Sequence, residues 1–99
     1  MMNNSYQVRY FTSYSGVKLP LKLVGEIASD DMANRNTYFE GSFNEQAQIC
    51  ICRKIVYAET DLEHHYLYHD NGQLKQAIII EDEDDQTTLI FDENGQMIV

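Results

Sequence analysis

The feature that most constrains this fold is the short spacing between its alternating hydrophobic runs. From Thr37 onward, six runs with the two-residue period of strands are separated by NEQA, ETD, DNG, EDEDD and DENG. Connections this short cannot make parallel crossovers, which need about a dozen residues or more. The sequence therefore predicts antiparallel strands that follow one another as a meander.

The first part of the chain predicts a hairpin and then a short helix. Residues 6 to 13 and residues 17 to 24 both alternate, and Ser15-Gly16 between them predicts a tight turn. Pro20 has no N–H to donate to a neighbouring strand, so it places the second strand at a sheet edge. The stretch that follows breaks the alternation, which predicts one short helix near residues 26 to 34.

Together these patterns predict one mainly β domain spanning residues 1–99. The expected architecture is a single antiparallel meander sheet of about seven or eight strands with one short helix. A chain with 43% hydrophobic and 23% charged residues has the composition of a folded domain. The core candidates are Tyr6, Val8, Tyr10, Leu19, Leu21, Leu23, Phe39, Ile49, Ile51, Ile78, Ile80 and Leu89.

A short unit occurs three times in the second half of the chain. Residues 43 to 49, 68 to 74 and 91 to 97 each run from an aromatic residue through a polar turn and a glutamine to an aliphatic residue. The second and third copies carry Asn-Gly, whose glycine accepts the positive φ of a hairpin turn. The first copy has Gln46-Ala47 instead. We expect a repeated hairpin unit whose first turn is looser or of another type.

The charge is strongly acidic. Sixteen Asp and Glu residues against seven Lys and Arg give a formal net charge of −9. This charge disfavours direct binding to nucleic acid or to anionic membranes. It either keeps the protein in solution or forms a negative face that docks on a basic partner. The chain shows no secretory signal pattern and no run long enough to span a membrane, so we expect a cytoplasmic protein.

Three segments carry a family resemblance: RYFTSYSGVKLPLKLV at 9–24, ANRNTYF at 33–39 and VYAETDLEHHYLYHDNGQLKQA at 56–77. Together they resemble DUF6156, a family of small bacterial proteins of unknown function. The Tyr-x-x-Asn-Gly-x-Leu units are also similar to the MORN-2-type and YD-type β repeats of bacterial antitoxin-like and polymorphic-toxin proteins. The resemblance implies a stand-alone bacterial domain, and it implies no catalytic residue.

The histidines and cysteines do not form a strong metal or redox motif. On one strand, His65 and His69 would lie about 13 Å apart, too far to hold one ion. His64 falls on the opposite face, so we interpret the three as strand histidines. Cys50 and Cys52 would lie about 7 Å apart on one face, at or beyond the usual disulfide separation. We expect free thiols with a structural role, and we predict no metal, no cofactor and no catalytic residue.

Two irregular segments are the best candidates for a binding site. ANRNTYF offers several hydrogen-bond donors just before an aromatic strand, and YSGVKLP offers two hydroxyl groups and a lysine. An equally good interpretation is that the asparagines and the arginine tie the loop to the sheet. The candidate interaction or ligand residues are Tyr14, Ser15, Lys18, Asn34, Arg35, Asn36 and Tyr38.

Three functional hypotheses follow. The favoured one is a non-enzymatic module that binds a protein partner, such as an inhibitor or immunity-type protein that occupies a basic cleft of its target. The alternative is a small-ligand-binding or enzymatic domain with its pocket between residues 14–20 and 33–39. The third is a homodimer formed through an edge strand.

Overall fold

The computed structural model describes residues 6–82 and 85–98, and of Ser29 and Asn34 it describes the main chain only. The elements are β1 (Gln7–Ser15), β2 (Lys22–Glu26), a 3-10 helix (Ser29–Asn34), β3 (Thr37–Phe43), β4 (Ile49–Val56), β5 (Glu59–Tyr68), β6 (Leu74–Asp82) and β7 (Asp85–Ile90). They form one seven-stranded sheet in the order β2-β1-β3-β4-β5-β6-β7. Every neighbouring pair is antiparallel, and β3 to β7 follow one another in sequence, which confirms the predicted meander. At the start of the chain β1 pairs with both β2 and β3, so the connection from β2 to β3 passes over β1.

The core lies on one face of this sheet. Cross-strand partners share a face, and the registers pair Phe11 with Phe39 and Tyr66 with Ala77. These side chains belong to the main buried cluster, together with Leu21, Ile49, Cys52 and Leu74. We call this side the core face. Gly41 lies beneath Leu23, and a Cβ at Gly41 would come within 2.9 Å of the Leu23 Cδ1 atom, so a larger residue would require the Leu23 side chain to shift.

The predicted core is partly confirmed. Leu21, Phe39 and Ile49 are buried as expected. Half-buried positions are Tyr10, Leu19, Leu23, Ile51, Ile78, Ile80 and Leu89.

Six of the core candidates are wrong. Four of them are half-buried on the face opposite the core, where the registers place them beside Glu40, Ser42, His65 and Glu63: Tyr10, Ile51, Ile78 and Ile80. Tyr6 and Val8 are 54% and 48% exposed, because the strand presents Phe11 to the core instead. Val8 pairs with Ser42 and lies on the opposite face. Both faces of β1 carry apolar side chains. The sequence therefore predicts a strand but does not show which of its faces is buried.

The predicted tight turn at Ser15-Gly16 is also wrong. β2 begins only at Lys22, so residues 16 to 21 form a longer segment that we call the crossing loop. Its Val17 is fully exposed, whereas its Leu21 enters the core. The Leu21 N–H donates to the Tyr66 hydroxyl oxygen at 3.2 Å, which ties the loop to the middle of the sheet. The prediction that β2 is an edge strand is confirmed.

The three repeated turns have the same backbone frame. In each, the first residue donates to a carbonyl four residues on, with N–O distances of 3.0, 2.8 and 2.8 Å at Asn44, His69 and Asp92. The expectation of a different first turn is wrong, because Ala47 adopts a φ of 64° where the other copies have glycine. The Asn44 side-chain oxygen accepts from the N–H groups of Gln46 and Gln48 and supports that conformation.

The remaining elements are close to expectation. The short helix predicted near residues 26 to 34 is the 3-10 helix, with Asp30 and Asp31 in its first turn. The last predicted strand, QMIV, contributes an isolated bridge between Phe91 and Met97 rather than a full strand.

Candidate functional site

β7 forms one edge of the sheet and is bonded to β6 on its inner side. The Phe91 N–H donates to the Lys75 carbonyl at 2.9 Å, and the register then runs without a shift from Ile90 to Gln86. In an antiparallel pair, the backbone groups of alternate residues point to the same neighbour. The N–H and C=O groups of Thr87 and Leu89 therefore face β6, and those of Gln86 and Thr88 face away from the sheet.

One end of this outer edge is covered. The Ile90 carbonyl accepts a hydrogen bond from the Ile98 N–H at 2.8 Å, so the segment after the last turn folds back beside β7. The uncharged Gln86-Thr-Thr88 segment remains exposed. Within the described chain, this is the part of the sheet where outward main-chain groups lie without a guarding lysine or proline in the strand. We call it the open edge.

Acidic residues are concentrated in the last third of the chain, which contains β7. Residues 70–99 contain eight of the sixteen acidic residues and one of the seven basic ones, which places −7 of the formal −9 in the last third of the chain. Asp85 begins β7, and Asp92 and Glu93 lie in the turn after it. Asp85 and Glu93 are exposed. An extended segment lying on the open edge therefore meets negative charge at both ends.

The β2 edge is built differently. Arg9 donates from its Nε to the Glu26 Oε2 atom at 3.1 Å and from its Nη2 to the Oε1 atom at 2.5 Å. The hydrogen bond from Arg9 holds the pKa of Glu26 below its usual range. Thr12 donates its hydroxyl to the Val24 carbonyl at 3.4 Å, which satisfies one main-chain acceptor of β2. Charged side chains at both ends of β2 protect this edge.

A cleft of about 470 Å³ opens on the core face, under residues 19–23. Its floor is formed by Phe11, Phe43 and Leu74. The Arg9 guanidinium lies over both rings, 5.5 Å from the centroid of Phe11 and 5.3 Å from that of Phe43. The Tyr68 hydroxyl donates to the Ile49 carbonyl at 2.5 Å, which fixes the wall opposite the loop.

A charged row crosses the opposite face, which we call the outer face. Glu40, Arg53 and Glu63 are direct cross-strand neighbours on β3, β4 and β5. Arg53 donates to Glu40 at 2.9 Å and to Glu63 at 3.0 Å, and His65 bonds to the other Glu63 oxygen. Partial burial acts to raise the pKa of Glu63, but the hydrogen bonds from His65 and Arg53 outweigh it and lower that pKa. The row is an ion network in which Arg53 lies between two carboxylates at the half-buried centre of the outer face.

The histidines each have a partner within the sheet. His64 is buried and its Nδ1 lies 2.6 Å from the Tyr66 hydroxyl, and burial lowers the pKa of His64. His69 Nε2 lies 3.0 Å from the Phe91 carbonyl oxygen. With the His65–Glu63 bond, these contacts give all three histidines structural roles.

Both cysteines are free thiols. Burial raises the pKa of the Cys52 thiol to about 11 and also raises the pKa of Cys50. Since the thiolate is the nucleophile, neither cysteine is activated at neutral pH.

The predicted site residues do not all lie together. Tyr14 packs edge-on against Phe39 at 5.5 Å, and this ring contact joins the first segment to the second. Lys18 lines another cleft, with Phe91 and Met97. Tyr38 packs against Tyr10, with ring centroids 5.8 Å apart.

The other predicted site residues lie along the main chain as follows. Ser15 ends β1 opposite Lys22. Arg35 is exposed after the 3-10 helix. Asn36 accepts from the Tyr57 N–H through its carbonyl. The side chain of Asn34 lies outside the described part of the structure.

Sequence reasoning missed the cleft. Its aromatic residues Phe43 and Tyr68 open the first two copies of the repeated unit. The repeat could have predicted this clustering, because the repeated turns lie side by side and bring their first aromatic residues to one end of the sheet.

Comparison with known proteins places this chain by its sequence. The model of a family of unknown function, DUF6156, matches residues 3–99. The chain belongs to this family. No curated protein and no solved structure matches it. Among the described residues of this DUF6156 member, no helix is long and apolar enough to cross a membrane.

Proposed function

We propose that this DUF6156 protein is a non-enzymatic interaction module that receives an extended, basic segment of a partner protein along the open edge. The observation that carries the proposal is the outward-facing main chain of Gln86 and Thr88, with acidic residues at both ends of the strand. A strand added to a sheet edge gains affinity from main-chain hydrogen bonds. Charge then selects which strand is accepted.

The charge distribution favours a basic partner over a second copy of this chain. Pairing of two β7 edges would bring together two regions that each carry −7 in residues 70–99. Like charges facing each other destabilise such a pair. A lysine- or arginine-rich strand would instead lie between Asp85 and Glu93.

A sharper form of the proposal concerns the kind of partner. Proteins with basic clefts commonly bind nucleic acid, and an acidic protein that fills such a cleft acts as an inhibitor or an immunity-type protein. In that role the module would work inside the cell that makes the target, which is the cytoplasmic setting we propose. The module itself would not bind nucleic acid, because its net charge of −9 repels phosphate.

The test uses a short fluorescent peptide of alternating lysine and valine, with alternating glutamate and valine as the control. We expect the basic peptide to bind and its affinity to fall steeply as salt is raised. Thr88→Pro removes an outward N–H and should weaken binding about tenfold, the loss expected for roughly 1.4 kcal/mol.

The matched control compares two double variants that remove the same charge. Asp85→Asn with Glu93→Gln changes the ends of the open edge, whereas Glu45→Gln with Glu59→Gln changes exposed acids elsewhere. Only the first pair should weaken the peptide. Equal effects of the two pairs, or affinity that does not depend on salt, would sink the proposal. A dimer in light scattering that Thr88→Pro dissociates would show that a second copy occupies the edge instead.

A further inference from the structure

The cleft under residues 19–23 differs in charge from the rest of the molecule. The protein has sixteen acidic residues, yet none is among the described residues that line this cleft. Its two charged lining residues are Arg9 and Lys22. A cleft that excludes acidic side chains in so acidic a protein is suited to an anion.

The two cations are not equivalent. Arg9 is engaged through its Nε and Nη2 with the carboxylate of Glu26, so it already has an anionic partner. Lys22 is exposed and has no ion-pair partner in the described part of the chain. Its ammonium group is therefore the cation at the cleft that is available to a ligand.

The cleft also offers an apolar surface and a spare donor. Phe11 and Phe43 lie with ring centroids 6.1 Å apart, and Leu74 is buried beside them. The Gln48 Oε1 atom accepts from Asn44, which leaves the Gln48 Nε2 group to donate. A volume of about 470 Å³ is within the range of small-molecule sites.

We propose that this cleft binds a small amphipathic carboxylate, whose apolar part lies against the half-buried Leu19, Leu23 and Phe43 and whose carboxylate pairs with Lys22. A single available ammonium suits a monoanion, whereas a phosphate dianion is usually held by several cationic or main-chain donors. This site is separate from the open edge and does not depend on it.

The experiment is an amide NMR titration with octanoate, with octanol and octylammonium as matched probes that lack the negative charge. Octanoate should shift the amides of residues 19–23 and of Leu74. Lys22→Gln should weaken octanoate about tenfold, as expected for loss of a charged hydrogen bond. Lys75→Gln removes the same charge from an exposed position outside the cleft and should change the affinity less than about twofold.

Three outcomes would overturn the proposal. Octanol binding as tightly as octanoate would make the cleft merely apolar. An unchanged affinity after Lys22→Gln would remove the carboxylate partner. Amide shifts confined to other parts of the sheet, or no shifts at millimolar octanoate, would remove the site itself.

Discussion

The two edge strands of this sheet differ in how their outward main-chain groups are protected: β2 is guarded, and part of β7 is not. The β2 edge is held by the Arg9–Glu26 ion pair and by the crossing loop, which is tied to the Tyr66 hydroxyl. The β7 edge presents the uncharged Gln86-Thr-Thr88 segment and has its charges beyond that segment. An unguarded edge is an aggregation hazard that proteins usually block. The difference between the two edges is the structural reason for placing the interaction surface at β7.

The largest expected effect comes from removing the Tyr66 hydroxyl, which holds the crossing loop at the β2 side of the sheet. Tyr66 is 2% exposed, and its hydroxyl accepts from the Leu21 N–H and forms a second hydrogen bond with His64 Nδ1. Tyr66→Phe leaves two buried polar groups unpaired and should lower the free energy of unfolding by about 3 kcal/mol. Urea denaturation measures this.

A matched variant separates the hydroxyl group from general effects of the substitution. Tyr57→Phe removes the same atom from a side chain that is 71% exposed and should leave the unfolding midpoint unchanged. If both variants lose the same stability, the crossing loop is not anchored through Tyr66.

The next prediction compares neighbouring positions on the open edge. Thr87→Pro removes an N–H that faces β6 and leaves its acceptor unpaired, so it should cost about 2 kcal/mol of stability. Thr88→Pro removes an N–H that faces solvent and should cost less than about 1 kcal/mol. Thermal unfolding of both variants checks the difference. Equal losses would mean that the alternation assigned to β7 is out of phase by one residue.

The smallest expected effect is a pH dependence of the free energy of unfolding. It comes from the single buried imidazole of His64, which is bonded to Tyr66. The Tyr66 hydroxyl lies 2.6 Å from the Nδ1 atom of His64, so the imidazole is held in the buried part of the sheet. Burial lowers the pKa of His64 below 6.5, so the unfolded chain binds this proton more readily than the folded one. The stability is therefore complete above the unfolded pKa and decreases as the pH falls through it toward the folded pKa.

Unfolding free energies between about pH 7 and pH 5 measure this slope, before most carboxylates titrate. His64→Gln keeps a hydrogen-bond acceptor but cannot titrate in this range, so it should flatten the slope. A slope that is the same in the wild type and in His64→Gln would assign the pH dependence to other groups.

Local features of the sequence predicted strands β3 to β7 and their sequential antiparallel order. The Asn-Gly pairs at 71–72 and 94–95 lie in the predicted turns, and the short connections force antiparallel neighbours. The limits of such reasoning appear at Ala47, which adopts a positive φ without glycine because Asn44 supports the turn. Hydrogen bonds from a neighbouring side chain can therefore stabilise a positive φ at a residue that is not glycine.

The crossing loop shows a second limit. Leu19, Leu21 and Leu23 have the spacing of a strand, but Leu19 and Leu21 lie in the loop that crosses the core face. A loop that buries every second leucine has the same two-residue apolar period as a strand, so the period alone does not distinguish the two. The cleft could not be predicted from the sequence, because Lys22, Phe43 and Leu74 are far apart in the chain and are brought together by this loop.

The sequence by itself determined the strand periods, the turn positions after Thr37, the antiparallel pairing of neighbouring strands and the acidic last third of the chain, because each depends on neighbouring residues or on composition. The tertiary structure alone decided which face of β1 is buried, how residues 16–21 cross the sheet and which edge stays open. Those properties depend on contacts between distant residues, such as the Tyr66 hydroxyl with Leu21 and Arg9 with Glu26. Burial and pairing across the sheet choose among arrangements that the local pattern leaves equal.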